Sequence, residues 1–366
     1  MKKEEMFMKK FLKVVGVILL SLIIMIGALA YYFRGQIGFY INIGKEYLEF
    51  KENPPSIEDL KNIKMSEDMD FKDVVYKDTN GKAQTLDIYG PEKKLRHGSP
   101  VILYVHGGSW IYGNKEIPDL IAPLLDSFRK EGYTIISVGY ELATDKVDFK
   151  KQASDVKDAI RWVYKNKETY RFNTDEIGVI GASAGAHLSL LATYSGEDEF
   201  VDDKELSNYP SKVKYVVDFF GPTELSALDM TMASWDLNNS IEKTEKQLRG
   251  EESITEYMDK YSPINYVKPN LPKTLIVHGR QDKLVPYSNS MNLYNKSKDM
   301  GNDIQILTLE NSGHDFSQVD VNEVFELGFK VLNFISFHRF IYIIDQNIVL
   351  RQHYLYFIIY GNAFNF

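Results

Sequence analysis

The stretch Gly181-Ala182-Ser183-Ala184-Gly185 constrains this chain most. It follows the short apolar run Ile177 to Ile180 and precedes a helix-like segment from His187 to Tyr194, so a strand has to turn sharply into a helix at Ser183. A serine nucleophile needs that order. The turn holds the serine backbone in a strained conformation and lifts Oγ clear of the sheet edge, while the flanking glycines let strand and helix approach without a Cβ clash. The five residues are common ones, and an ordinary small-residue turn would also satisfy the pattern. Its meaning depends on what the rest of the chain supplies.

Strand-like runs recur at Val101 to Val105, Thr134 to Val138, Tyr215 to Phe219, Thr274 to Val277 and Ile304 to Leu309, with helical patterns between several of them. In the clearest helix Val156, Ala159, Ile160 and Val163 recur at helical spacing among charged neighbours, which marks one buried face. Short continuous apolar strands alternating with amphipathic helices predict an α/β fold with a mainly parallel sheet and helices on both faces. Two earlier runs, Phe71 to Tyr76 and Ala83 to Tyr89, are joined by Asp78-Thr79-Asn80-Gly81 and would add antiparallel strands at one edge. The length of 366 residues leaves ample sequence for such a core. The absence of cysteine excludes disulfides, thiolate metal sites and a cysteine nucleophile. A net charge of −8 without a basic stripe beyond the N-terminus argues against nucleic acid as a partner.

The run Val101 to Val105 ends in His106-Gly107-Gly108-Ser109-Trp110. A glycine pair directly after a strand lets consecutive N–H groups point into one space, where a developing oxyanion can sit. The amides of Gly108, Ser109 and Ala184 are the expected donors, and His106 is read as structural. Trp110 and Tyr112 are either core aromatics or walls of a substrate pocket. Beyond Thr274 to Val277, Asp282 stands in a loop where it could orient a histidine, and the loop after Ile304 to Leu309 supplies His314. Asp315 lies too near His314 in sequence for that role, and His187, one turn past Ser183, is read as packing. The chain order Ser183, Asp282, His314, each after a predicted strand, is the serine, acid, histidine order of α/β-hydrolases.

From about Leu86 to Phe334 the chain resembles α/β-hydrolase esterases and lipases related to the hormone-sensitive-lipase and feruloyl or acetyl esterase groups. The matching stretches are His106 to Trp110, Asp155 to Trp162, Gly181 to His187, Phe220-Gly221-Pro222-Thr223, Tyr261-Ser262-Pro263, His278-Gly279 with Asp282, and Gly313-His314. The resemblance implies hydrolysis of carboxylic esters by Ser183, with His314 as base and then acid, Asp282 orienting it, and neither cofactor nor metal. Short acyl groups such as acetyl, carried by a small molecule, a carbohydrate or a lipid, are the expected substrates. Many relatives carry glycines where this chain has Ser109 and Ala186, and Tyr-Arg-Leu where it has Tyr140-Glu141-Leu142. The Trp110 variant also resembles formamidases, so an amidase or peptidase on the same fold remains a second reading, and a binding protein without turnover a third. The segment 223–261 is expected to form a short helical lid, with Met230, Met232 and Trp235 either lining an acyl pocket or packing the lid onto the body.

The domain plan places the hydrolase at residues 71–338. Before it, residues 1–34 carry Lys2, Lys3, Lys9, Lys10 and Lys13 and then the uncharged run Val14 to Phe33, roughly the length that crosses a bilayer as a helix. The lysines favour the cytoplasmic side, which leaves the hydrolase facing outward on a single-pass anchor. Cleavage near Ala30, after Ala28-Leu29-Ala30, would instead make the run a signal peptide and the protein secreted. Residues 35–70 read as a stalk with a short helix near Ser56 to Asn62. The aromatic-rich extension 339–366 is broken by Asp345, Arg351 and His353 into runs too short to span a bilayer. It reads as an addition that the fold does not need, a surface-docking tail being the other reading.

Overall fold

The computed structural model describes residues 69–79, 81–248, 252–314, 319, 323–324 and 326–335, with Gly27 the one described residue before them. From Met69 onward these belong to the compact unit Pro55–Phe366. The expected membrane run, the stalk up to residue 68, Asp315 and the extension 339–366 lie outside the described residues apart from Gly27. Among the described residues no helix is long and apolar enough to cross a membrane.

Eight strands form one sheet: β1 (Phe71–Thr79), β2 (Lys82–Tyr89), β3 (Ser99–Val105), β4 (Thr134–Val138), β5 (Phe172–Ala182), β6 (Tyr215–Phe219), β7 (Lys273–Gly279) and β8 (Ile304–Leu309). Their spatial order is β1-β2-β4-β3-β5-β6-β7-β8. The hairpin β1-β2 and the pair β2-β4 are antiparallel, and every later pair is parallel, as the runs predicted. The chain steps from β3 to β4 on one side and then returns to place β5 on the other. A crevice therefore opens at the carboxyl end of β3, the place where open α/β sheets bind ligands.

Alternate strand residues face opposite layers, which is why the strands read as continuous apolar runs. Val101, Leu103 and Val105 join one buried cluster with helices α2 (Phe149–Lys165) and α4 (Ala184–Tyr194), while Ile102 and Tyr104 join another with α1 (Ala122–Lys130) and Val331 and Phe334 of the helical residues 326–335. A short helix α3 (Lys167–Tyr170) leads into β5, and α7 (Tyr287–Asp299) lies on the α4 side through Leu293. The segment 223–261, where a helical lid is expected, holds α5 (Trp235–Leu248) and α6 (Ile254–Lys260). Helix α6 starts at a capping box in which Ser253 and Glu256 exchange hydrogen bonds, satisfying two otherwise orphaned amides.

Helix α2 buries more than its apolar face. Val156, Ala159, Ile160 and Val163 are fully buried, but Asp155, Lys157, Asp158 and Arg161 are also at most 1% exposed. Lys77 of β1 meets the two acids, its Nζ lying 2.7 Å from Asp155, 2.8 Å from Asp158 and 2.7 Å from Asp202, while Arg161 pairs with Asp158 at 3.0 Å and Lys157 Nζ donates to Ser195 Oγ at 2.8 Å. Charges survive such burial only when paired and hydrogen-bonded. The α2 pattern discloses only the pairs along the helix, Lys151 with Asp155 and Arg161 with Asp158, because Lys77 lies far away in sequence.

Candidate active site

Ser183 joins β5 to α4 with φ 52° and ψ −121°, a backbone conformation that an L residue holds only under constraint. The constraint is close approach. A Cβ on Gly181 would stand 2.6 Å from Cα of Ala186, and one on Gly185 would stand 2.2 Å from the carbonyl oxygen of Val105. Only glycine fits either place, so strand, turn and helix lock Ser183 at the crevice.

Loops after β7 and β8 carry the other two residues. Gly279 lets them touch, since a Cβ there would meet the Ser312 carbonyl oxygen at 2.2 Å. The amide of Gln281 donates to that oxygen at 3.0 Å. Docked in this way, His314 Nδ1 lies 2.7 Å from Asp282 Oδ2, and its Nε2 lies 2.8 Å from Ser183 Oγ. The Asp282 side chain has no exposure, whereas that of His314 is 22% exposed. Burial would push the Asp282 carboxyl up, but hydrogen bonds from His278 and His314, the positive charge available to His314 and the amide of Val285 outweigh it and hold the group down to about 2. An ionised carboxylate only accepts, so His314 Nδ1 carries the proton and Nε2 is left to accept from the Ser183 hydroxyl. That is the arrangement a general base needs before reaction.

The sequence singles out Asp282 and gives His278 no role. Its Nε2 lies 3.0 Å from Asp282 Oδ2 and 3.0 Å from the Val285 carbonyl, and its Nδ1 lies 2.6 Å from Ser290 Oγ. Four-residue spacing from Asp282 across the strand end was the available signal. Phe220, which the sequence shows only within a matching stretch, also has no role there. With φ 45°, it sets its ring 4.8 Å from that of His314 as an apolar wall beside the reacting atoms.

On the other side of Ser183 runs the loop after β3. Gly108, Ser109 and Trp110 have φ of 116°, 51° and 64° in succession. The Gly108 carbonyl accepts from the amides of Ile111 at 3.1 Å and Tyr112 at 2.8 Å, closing a tight turn. A Cβ on Gly107 would lie 3.3 Å from Cβ of Ser183, so the loop abuts the nucleophile. Among the described residues the amides of Gly108 and Ser109 have no acceptor, and Ala184 opens α4, whose first amides have no partner within the helix. His106 is buried and stacked on Tyr140 at 4.4 Å, with its Nδ1 against the Gly107 carbonyl, in keeping with a structural role.

Of the aromatic residues offered as pocket walls, Trp110 takes its core reading, and Tyr112 and Trp235 lie toward solvent. Trp110 is 3% exposed and sits in the core, where its indole N–H donates to His187 Nδ1 at 3.1 Å and its ring packs on Phe149. His187 in turn donates from Nε2 to the Tyr261 carbonyl at 2.8 Å, so it ties the loop after β3 to the end of the segment 223–261. Trp235 is 76% exposed at the start of α5, and its aromatic character alone could not show which way it faces. Tyr112 is half exposed, with its hydroxyl on Asp236. A cavity of about 230 Å³ lies between the loop 141–148 and Gln247, lined by none of the triad. Among the described residues no cluster could hold a metal ion.

Comparison with known proteins shows which family the chain falls in. The chain is 30% identical over 208 residues to a Mycobacterium tuberculosis protein described as "Probable carboxylic ester hydrolase LipM", a match covering 56% of this chain and 47% of that protein. It is 25% identical over 247 residues to the esterase LipC of the same organism, covering 65% of this chain and 58% of the other. The chain thus spans about half the length of the curated relatives it matches. A truncated carbohydrate esterase from gut microbiota superposes with a TM-score of 0.58 at 26% identity, over 73% of this chain and 94% of that one. A thermophilic esterase from Thermogutta terrifontis gives 0.59 at 23% identity, over 73% and 94%, a likeness of fold alone. The fold is α/β-hydrolase-like, and with the BD-FAE family profile matching residues 86–297, more than half of the chain, the protein belongs to the BD-FAE family.

Proposed function

We propose that this protein is a serine carboxylic-ester hydrolase working through an acyl-enzyme on short acyl esters such as acetyl esters. The observation that carries the reading is the unbroken contact from Ser183 Oγ to His314 Nε2 at 2.8 Å and from His314 Nδ1 to Asp282 at 2.7 Å. As Ser183 Oγ attacks the ester carbonyl, its proton passes to His314 Nε2, and Asp282 holds the imidazolium that forms. The oxyanion is held by the amides of Gly108, Ser109 and Ala184, each worth about 3 kcal/mol where the site is preorganised. Collapse of the tetrahedral intermediate expels the alcohol with the proton from His314. Water then gives its proton to His314, attacks the acyl-enzyme and frees the acid. Similarity to a protein titled a carbohydrate esterase supports an acylated sugar as the substrate class. The Phe220 ring beside His314 supports a small acyl group. We further propose that Val14 to Phe33 anchors the chain with the hydrolase facing outward. An intact mass beginning at Tyr31 would replace the anchor with secretion.

Hydrolysis of a p-nitrophenyl ester series from acetate to long acyl chains, beside Ser183→Ala, tests the reading. The expected result is activity that falls steeply after short chains, vanishes in the variant, and is matched by fluorophosphonate labelling of Ser183 alone. Labelling without hydrolysis of any ester would turn the assignment toward amides, and neither labelling nor hydrolysis would abolish it.

A further inference from the structure

We propose that His278 is a positioning residue for the Asp282 carboxylate, sharing one oxygen of it with His314 and so limiting how tightly His314 keeps its proton. The inference rests on the esterase reading above and deepens it. A carboxylate offers about four acceptor sites over its two oxygens. Asp282 fills all four. Oδ1 takes the amides of Leu284 at 3.0 Å and Val285 at 2.9 Å, while Oδ2 takes His314 Nδ1 at 2.7 Å and His278 Nε2 at 3.0 Å. With both oxygens bound on two sides, the carboxylate has no freedom to turn away from His314.

The tautomer of His278 follows from its neighbours. Nε2 faces two acceptors, Asp282 Oδ2 and the Val285 carbonyl, so it carries a proton. Nδ1 faces the Ser290 hydroxyl at 2.6 Å, a group that can supply the hydrogen itself. The residue is fully buried, which removes water as a competitor for either nitrogen. Around it stand the Tyr287 ring, edge-on at 5.8 Å, and Thr308 of β8, which bonds the Tyr287 hydroxyl. Arg280 lies over the Tyr287 ring and is paired with Glu310. His314 meets Ser183, Asp282 and the uncharged Phe220 ring. Asp282 is therefore the carboxylate that the two imidazoles share.

Two donors on one oxygen divide its negative charge between them. Without the His278 donor, Oδ2 would bind the His314 imidazolium harder, and the freed lone pair would let the carboxylate rotate. Both effects slow the cycle, but by different signatures. Rotation lowers kcat, and tighter binding of the imidazolium keeps His314 protonated to higher pH.

The experiment uses the full chain as wild type, His278→Leu, His278→Gln and Ser290→Ala. It reads kcat and KM for p-nitrophenyl acetate across pH, together with the proton resonance of His314 Nδ1–H. His278→Leu is expected to lower kcat about 10- to 100-fold, the cost of a small misplacement of a catalytic group, with KM nearly unchanged. The acid limb of kcat/KM should move to higher pH and the Nδ1 proton should move downfield. His278→Gln, whose amide N–H can reach where Nε2 lay, should restore most of each. An unmoved limb and resonance in His278→Leu would overturn the proposal, as would a glutamine variant shifted as far as the leucine one. Should His278→Leu fail to fold, Ser290→Ala removes only the hydroxyl that seats Nδ1. It should move the limb and resonance the same way by less, and no movement would overturn the proposal. A wild type that neither hydrolyses esters nor labels at Ser183 would remove the esterase reading, while the resonance comparison would still decide the role of His278.

Discussion

On one side of Ser183, the loops after β7 and β8 hold Asp282 and His314 in place through side-chain hydrogen bonds to ionised or ionisable groups. On the other, the loop after β3 depends on backbone shape, with three successive residues at positive φ and the indole of Trp110 anchored to buried His187. The first side is an electrostatic construction and answers to pH. The second is a steric one and answers to volume. Damage to the two should therefore be separable in a pH profile, even where the loss of rate is similar.

Among substitutions that leave the nucleophile in place, Asp282→Asn is expected to produce the largest loss. Its amide would offer a donor where His314 Nδ1–H needs an acceptor, forcing the tautomer in which Nε2 cannot take the Ser183 proton. A fall of about 10⁴-fold in kcat is the scale of such an error, with the fold retained. Steady-state kinetics beside circular dichroism would check it, and a loss under tenfold would separate Asp282 from the chemistry. The substitution also removes an acid-sensitive contribution to stability. The carboxyl falls from 3.8 unfolded to about 2 folded, so the stability it adds is complete above 3.8 and is lost as pH drops through 2.

Gly108→Ala attacks the steric side. Its Cβ would stand 2.1 Å from the Tyr112 carbonyl oxygen at a φ of 116°, so the loop has to move and its amides with it. Loss of an oxyanion donor costs about 10²- to 10³-fold in kcat. The acid limb of kcat/KM should stay where it is, because Asp282 and His314 are untouched. A shifted limb would show that the two sides are not separable.

How far the sequence discloses each side follows the same division. Ser183, Asp282 and His314 are legible because each falls in a short loop after an apolar strand, and strand order alone brings the loops together. The glycines at 181 and 185 announce a close approach that the structure realises. His278 is not legible as a partner of Asp282, since histidine before glycine at a strand end has many uses and only the turn at 279–285 folds it back. Trp110 and Trp235 keep two readings each in the sequence for a related reason. An aromatic residue beside a site reads as a wall, and whether it points into the core or to solvent depends on loop paths that no periodicity encodes.

Trp110→Phe should have a smaller effect on rate than Gly108→Ala, because the ring still fills its place against Phe149. It removes the donor to His187 Nδ1 and leaves that nitrogen buried without a partner, at a cost of about 1–3 kcal/mol. Burial, partly offset by the hydrogen bond to the Tyr261 carbonyl, pushes the His187 imidazole down to about 4. The unfolded chain takes up that proton near 6.5, so stability is lost as pH falls from 6.5 through 4. Thermal melts should find Trp110→Phe less stable than wild type, with the gap narrowing as pH falls from 6.5 through 4, since the orphaned nitrogen accepts a proton more readily in the folded variant. A gap independent of pH would dissociate His187 from the loop.

The smallest effect is expected at Asp218, which belongs to neither side but underlies both. It sits on β6 between Gly181 of β5 and Ile276 of β7, fully buried. Its Oδ1 accepts from the Gly221 amide at 2.7 Å, and among the described residues its Oδ2 has no partner. Burial pushes this carboxyl up to about 7 against the opposing pull of that amide. Here the sign is opposite to that of Asp282. The folded protein holds the proton after the unfolded chain has released it, so stability is greatest below 3.8 and is lost as pH rises through 7. Asp218→Asn keeps the acceptor for Gly221 and cannot ionise. Its melting temperature relative to wild type should rise by several degrees between pH 5 and pH 8, because wild type loses about 1.4 kcal/mol for each pH unit over which only the unfolded chain has released the proton. Taking the difference between the two proteins at each pH cancels His187, which acts in the other direction over part of the range. A difference independent of pH would mean that Asp218 stays in one charge state throughout, and the floor of the elbow would then respond to volume alone.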